Sequence, residues 1–223
     1  NTFIDLVIGG LFLGVGGATF SIGVTSLPKY YSKERQGFIN GIYGVGNAGT
    51  AITTFGAPIL AKSIGWQDTV RLYLILLLAF IVLLFIFGDR KEVRVNKSMV
   101  EQIQGVYKNA TLWFLSLFYF ITFGAFVAFT VFLPNFLVTF FGLDPVDAGI
   151  RTGIFIVLAT AMRPIGGFLA DRFNPFVILM IVFIFVSLSG ILLAFSPDIT
   201  WYTVGALSVA VSAGIGNGTI FKL

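Results

Sequence analysis

Arg163 is the residue with the most demanding chemistry. It lies inside an apolar run with Thr160 and Gly167 on the same helical face, and Asp171, eight residues on, marks the polar end of that run. At helical rise the guanidinium sits roughly 12 Å inside the run. A cation at that depth costs at least ~2.5 kcal/mol unless it is paired or hydrated. No Asp or Glu occurs well inside any apolar run of this chain. An intramembrane cation without a resident acid suggests an anion that comes and goes. Snorkelling to the surface, or pairing with an acid outside this chain, are the competing readings.

Three amides and one phenol offer neutral donors to the same task. Asn40 and Asn47 are seven residues apart with Tyr43 and Gly44 between them, which places them on one helix face. Packing explains the glycines around them, beginning with the Gly37/Gly41 pair, but not the amides, which need polar partners inside a bundle. Asn217 stands between Gly216 and Gly218 and is likewise poor packing material. Tyr119, Phe123, Phe126 and Thr130 follow at intervals of 4, 3 and 4, an aromatic stripe on one face. Such a stripe serves packing or lipid contact, except that a buried tyrosine hydroxyl wants a partner.

The elements that position these groups follow from composition. Of 223 residues, 11% are charged and 57% hydrophobic, where a soluble domain carries roughly 25% charged residues. Most water-soluble folds are thereby excluded. With no cysteine and no histidine, disulfides, thiolate metal sites and Ser-His-Asp chemistry are excluded too. No cofactor and no metal are expected. The net charge of +4 is not a nucleic-acid signature once the basic residues are placed. The chain begins at Asn1 without Met and stops within an apolar run, and it reads as a piece of a longer protein.

Stretches near 3–27, 37–61, 69–88, 112–137, 148–169, 175–195 and 200–221 are each about as long and apolar as a membrane helix requires, ~20 residues. Pro28, Pro145, Pro175 and Pro197 fall at span ends; Pro58, Pro134 and Pro164 fall inside and predict kinks. Lys29, Lys33 and Arg35, then Arg90, Lys91, Arg94, Lys97 and Lys108, then Arg172 and Lys222, occupy alternate ends. The positive-inside rule makes those ends cytoplasmic and the start of the chain external. Asp89–Asn109 is the long polar connector, a solvated loop in which Lys97–Val106 can form a surface helix.

Seven spans with an external start also describe seven-helix receptors and retinal proteins. Here Lys222 lies at the very end of the last span rather than inside it, and no cysteine is present to staple an outer loop. The turn Gly166-Gly-Phe-Leu-Ala-Asp-Arg-Phe173 instead resembles the G-x-L-A-D-R loop of the major facilitator superfamily. That resemblance implies an all-α integral membrane fold of twelve helices. Taking Asp89–Asn109 as the family's central loop makes the spans helices 4 to 10, about seven of twelve, and puts the turn between helices 8 and 9, where the family has it. Residues 1–88 then end the N-terminal half, 89–110 are the central loop and 111–223 begin the C-terminal half.

Within that superfamily the chain resembles the nitrate/nitrite porters. The motifs are Gly44-Val-Gly-Asn-Ala-Gly-Thr-Ala51, Phe118-Tyr-Phe-Ile-Thr-Phe-Gly-Ala-Phe126, Ala161-Met-Arg-Pro-Ile-Gly-Gly167 and Gly216-Asn-Gly-Thr-Ile-Phe-Lys222. The resemblance implies that Arg163 binds the anion and that Asn47 and Tyr119 donate hydrogen bonds to it. It also implies that Phe123 and Phe20 cover its two faces; Asn217 joins them as a candidate ligand. Gly44, Gly46, Gly49 and Gly167 are candidates for close helix sliding, with Asp171 and Arg172 at the cytoplasmic gate. The family's second arginine, on helix 2, lies outside this chain.

The function so implied is transport of nitrate or nitrite across the cell membrane by alternating access, with exchange of one anion for the other, in a monomer embedded in lipid. Proton-coupled uptake, a carrier for another small solute and a non-transporting anion sensor are the alternatives. Enzymatic activity is not expected, since no acid-base or nucleophile constellation occurs in any span.

Overall fold

The computed structural model describes residues 3–88, 104–196 and 198–223, and among them there is helix and no strand. Most of the central connector, including Arg90, Lys91, Arg94, Lys97 and the start of the expected surface helix, lies outside the described residues, as does Pro197.

Among the described residues the main helices are, in chain order, α1 Phe3–Ser26, α2 Gln36–Gly44, α3 Ala48–Ile64, α4 Trp66–Phe87, α5 Ala110–Phe141, α6 Pro145–Arg172, α7 Pro175–Ala194 and α8 Ile199–Ile220. Five of them, α4 to α8, are each long and apolar enough to cross a membrane. The expected span at 37–61 is not one helix. A 3-10 turn, Val45–Asn47, separates α2 from α3. The cause is local: Gly41, Gly44, Gly46 and Gly49 fall within nine residues, and each glycine costs a helix about 1 kcal/mol relative to alanine. By contrast α5 runs on through Pro134 and α6 through Pro164.

The helix boundaries have identifiable chemistry. Asp144 accepts from the Val146 amide at 2.8 Å with Pro145 in the first turn of α6. Asn174 accepts from the Phe176 amide at 3.0 Å, with Pro175 in the first turn of α7. Asp198 accepts from the Thr200 and Trp201 amides at 2.8 and 3.0 Å. A side-chain oxygen followed by proline is a strong start signal, because the proline has no amide to leave unpaired. Gly65 (φ 86°) joins α3 to α4, and Gly142 (φ 67°) ends α5. Both occupy the left-handed region that favours glycine.

Two compact units emerge: residues 1–48 with 117–223, and residues 49–116. In the first unit α6 is the central element. Half of its apolar window is buried, with α8 and α2 packed against it and α7 against α8. In the second unit α3 is followed through Gly65 by α4, whose apolar window carries no buried residue. A helix apolar on every side and this exposed suits hydrocarbon as its solvent.

Candidate functional site

The small residues of α2 let its backbone lie against α6. A Cβ on Gly41 would come within 2.7 Å of the Arg163 carbonyl, and one on Gly44 within 2.8 Å of Arg163 Cδ. Glycine at 44 therefore makes room for the arginine side chain itself. A Cβ on Gly218 of α8 would meet that same Arg163 carbonyl, and one on Gly167 would meet the carbonyl of Gly37. At Gly46 and Gly49 an added Cβ meets nothing within 4 Å.

Arg163 is 1% exposed. Its Nη1 donates to the Gly44 carbonyl at 3.4 Å. Asn47 Nδ2 donates to that same carbonyl at 3.1 Å, so the end of α2 gathers both groups. This carbonyl lies where α2 passes into the 3-10 turn Val45–Asn47. Nε and Nη2 of Arg163 are buried without a hydrogen-bond partner among the described residues. These two nitrogens form one edge of the guanidinium, with parallel N–H bonds that suit two coplanar oxygens. The described ion pairs, Arg71–Asp68, Arg151–Asp147 and Lys222–Asp171, do not involve Arg163.

Aromatic rings cover the guanidinium. Its Cζ lies 5.5 Å from the Phe123 centroid and 5.3 Å from that of Phe126. Tyr119 stacks on Phe123 at 5.1 Å with 7° between the planes. Phe20 stacks on Tyr43 at 5.2 Å and reaches Tyr119 through Phe221, with steps of 5.9 and 5.3 Å. Phe126 and Phe221 belong to the cluster although neither was a candidate ligand. The spacing of the stripe contained the signal for Phe126. Phe221, four residues after Asn217, had none beyond that interval.

Asn217 is 1% exposed. Its Oδ1 accepts from the Thr122 hydroxyl at 2.7 Å, while its Nδ2 is buried without a partner among the described residues. The Thr122 hydroxyl also lies 3.1 Å from the Phe118 carbonyl and 3.4 Å from that of Tyr119, so the contact to Asn217 is its shortest. Thr122, Phe123 and Phe126 share one turn of α5, and that turn touches both Arg163 and Asn217. Thr122 was not a candidate: nothing in its local sequence distinguishes it from other intramembrane threonines. Thr160 Oγ1 is a further buried polar atom without a partner among the described residues, one turn from Arg163 on α6.

At the far end of α6, Asp171 joins three elements. Its Oδ1 accepts from the Gly37 amide at 3.0 Å and its Oδ2 from the Phe38 amide at 2.8 Å, which caps the first turn of α2. Lys222, just past α8, pairs with Asp171 at 2.9 Å and also donates to the Lys33 carbonyl. The negative charge sits against the positive end of the α2 dipole. Arg172 instead lies over the Phe168 ring at 4.4 Å.

Comparison with known proteins supplies the deciding observation: the profile of the Major Facilitator Superfamily matches residues 1–223, the whole chain. The chain belongs to the Major Facilitator Superfamily. This facilitator chain is 63% identical over 223 residues to the nitrite extrusion protein of Bacillus subtilis (strain 168), covering 100% of the chain and 56% of that relative. It is 55% identical over 218 residues to the probable nitrate transporter NarT of Staphylococcus epidermidis, covering 98% of the chain and 56% of that relative. It is 56% identical to the probable nitrate transporter NarT of Staphylococcus haemolyticus, again over 218 residues, with 98% and 57% covered. The facilitator chain thus spans about half the length of the curated relatives it matches. Family membership and its run of apolar helices make it part of a multi-pass membrane protein.

Proposed function

We propose that the protein containing this chain exchanges nitrate and nitrite across the cell membrane by alternating access, with Arg163 as an anion-binding group. The observation that carries this reading is the open Nε–Nη2 edge of a guanidinium that is 1% exposed, with no carboxylate paired to it among the described residues. A planar monovalent anion fits that fork with two oxygens, and flat rings suit its faces. The relatives named for nitrite extrusion and nitrate transport support the same choice of anion.

In this reading Asn217 Nδ2, Asn47 and Tyr119 complete a rim of neutral donors, and Phe20 belongs to the surrounding aromatic wall rather than to a direct sandwich. The two halves, 1–88 and 111–223, rock about the anion, with the basic loops on the cytoplasmic side. The protein acts as a monomer in lipid, without enzymatic chemistry. An empty site leaves buried positive charge unneutralised and resists closure, so each half-turn of the cycle requires an anion.

The test uses the full-length protein in proteoliposomes loaded with nitrite, without a pH gradient, and follows labelled nitrate. Rapid uptake that vanishes when the lumen is empty is the expected result. Uptake that needs an inward-acid gradient instead would overturn exchange in favour of proton coupling.

Thr122 orients the Asn217 amide in this scheme. Thr122→Val removes the donor and frees the amide to turn its oxygen toward the anion. One such hydrogen bond contributes about 1–1.5 kcal/mol, so nitrate KM rises roughly tenfold with kcat little changed. Thr122→Ser retains the hydroxyl and restores KM. Equal KM values for the valine and serine variants would remove Thr122 from the site.

A further inference from the structure

A cavity with charged residues in its lining lies at the Asp171 end of the first unit, away from Arg163. It has a volume of about 580 Å³ and is lined by Glu34, Arg35, Phe38, Phe168, Asp171 and Arg172. Its two carboxylates are engaged elsewhere. Both oxygens of Asp171 accept from the α2 amides, and Oδ1 pairs with Lys222. Glu34 is held below the usual carboxylate range by a backbone hydrogen bond, then by the Ser32 hydroxyl. Neither arginine has an ion pair among the described residues.

The floor of the cavity is apolar. Phe38 meets Phe168 edge-on at 6.4 Å, and Arg172 lies over Phe168 at 4.4 Å. A guanidinium stacked on a ring keeps its N–H edges free for a phosphate. Phe38 is 37% exposed and Phe168 41%, and Phe168 belongs to a helix long and apolar enough to cross a membrane. Lys222, beside Asp171 and the Lys33 carbonyl, adds positive charge at this end. Two arginines without ion pairs among the described residues, over exposed aromatic rings at the end of a membrane-length helix, match a phosphodiester with its acyl chains alongside.

We propose that the cavity between the start of α2 and the end of α6 binds the headgroup of an anionic phospholipid through Arg35 and Arg172. The site bridges the two elements that Asp171 ties together, so lipid occupancy acts on the same junction. This inference is independent of the transported anion: it needs membrane insertion and the cavity, and nothing of the Arg163 site.

The test is native mass spectrometry of the delipidated full-length protein titrated with phosphatidylglycerol, with phosphatidylcholine as the zwitterionic control. The expected result is preferential retention of phosphatidylglycerol, lowered roughly 10- to 30-fold in Arg35→Gln/Arg172→Gln, as two basic contacts at a membrane surface imply. Lys29→Gln/Lys108→Gln removes the same charge outside the cavity and should lower retention far less. Equal losses in the two double variants would overturn the site in favour of diffuse attraction. Full displacement of the lipid by inorganic phosphate would overturn the lipid assignment and make the cavity a site for free phosphate. Wild-type retention in Arg35→Gln/Arg172→Gln, with both variants shown folded by thermal unfolding, would also overturn it. A failure of nitrate exchange leaves these readouts unchanged.

Discussion

If the proposed function holds, Arg163→Lys is expected to abolish high-affinity nitrate transport although it conserves the charge. The native guanidinium anchors Nη1 on the Gly44 carbonyl at 3.4 Å and leaves the Nε–Nη2 edge open. An ammonium supplies three donors around one point and cannot hold the carbonyl while presenting two parallel N–H bonds to a flat anion. Each lost charge-assisted hydrogen bond costs about 1.5–3 kcal/mol, so the loss of two places nitrate KM at least 100-fold higher. Lysine also leaves unfilled the space that glycine at 44 keeps open for the Arg163 side chain, and its shorter donor loses the cover of Phe123 and Phe126. Uptake kinetics of labelled nitrate in proteoliposomes check the expectation. Wild-type kinetics in this variant would remove Arg163 from the binding site and with it the central support for an anion substrate.

Asp171→Asn has the second largest expected effect, on conformation rather than on affinity. The aspartate caps two amides of α2 and pairs with Lys222. An amide keeps one acceptor oxygen, so it loses one cap and the ion pair together. A lost cap costs about 0.5–2 kcal/mol, and the charged character of the remaining contacts disappears as well. Amide hydrogen exchange at Gly37 and Phe38 in the full-length protein should accelerate roughly 10- to 100-fold, as one to two lost charge-assisted contacts imply. Lys222→Gln removes the pair and spares the cap, and its effect should stay under about tenfold, because the side chain of Lys222 is partly exposed and such pairs contribute about 1 kcal/mol or less. Equal acceleration in the two variants would show that the ion pair, and not the helix end, holds this junction.

Both expectations depend on atoms that sequence reasoning reached by different routes. The apolar runs are a local property, legible from composition alone, and the five helices from α4 to α8 fall on them within a few residues. Arg163 was legible for the same reason: a single cation inside an apolar run is conspicuous without any knowledge of its neighbours. The caps at Asp144, Asn174 and Asp198 coincide with prolines or polar residues at span ends. The α-helical pattern tightens to a 3-10 turn at Val45–Asn47, where four nearby glycines weaken the helix that a continuous apolar run predicts.

What the chain alone determined is therefore its membrane character, the order of its helices and the identity of its one deeply placed cation. The tertiary structure decided which donors stay open and which are consumed. Nη1 is spent on Gly44 while Nε and Nη2 are not; Thr122 turns the Asn217 amide; Asp171 faces α2 and Lys222 while Arg172 turns to Phe168. Thr122 and Asn217 are 95 residues apart, and Gly37 and Asp171 are 134 apart. Hydropathy acts on each segment by itself and sets what enters the membrane. Hydrogen-bond satisfaction acts between segments and exists only once the glycine seams of α2, α6 and α8 have brought their backbones together.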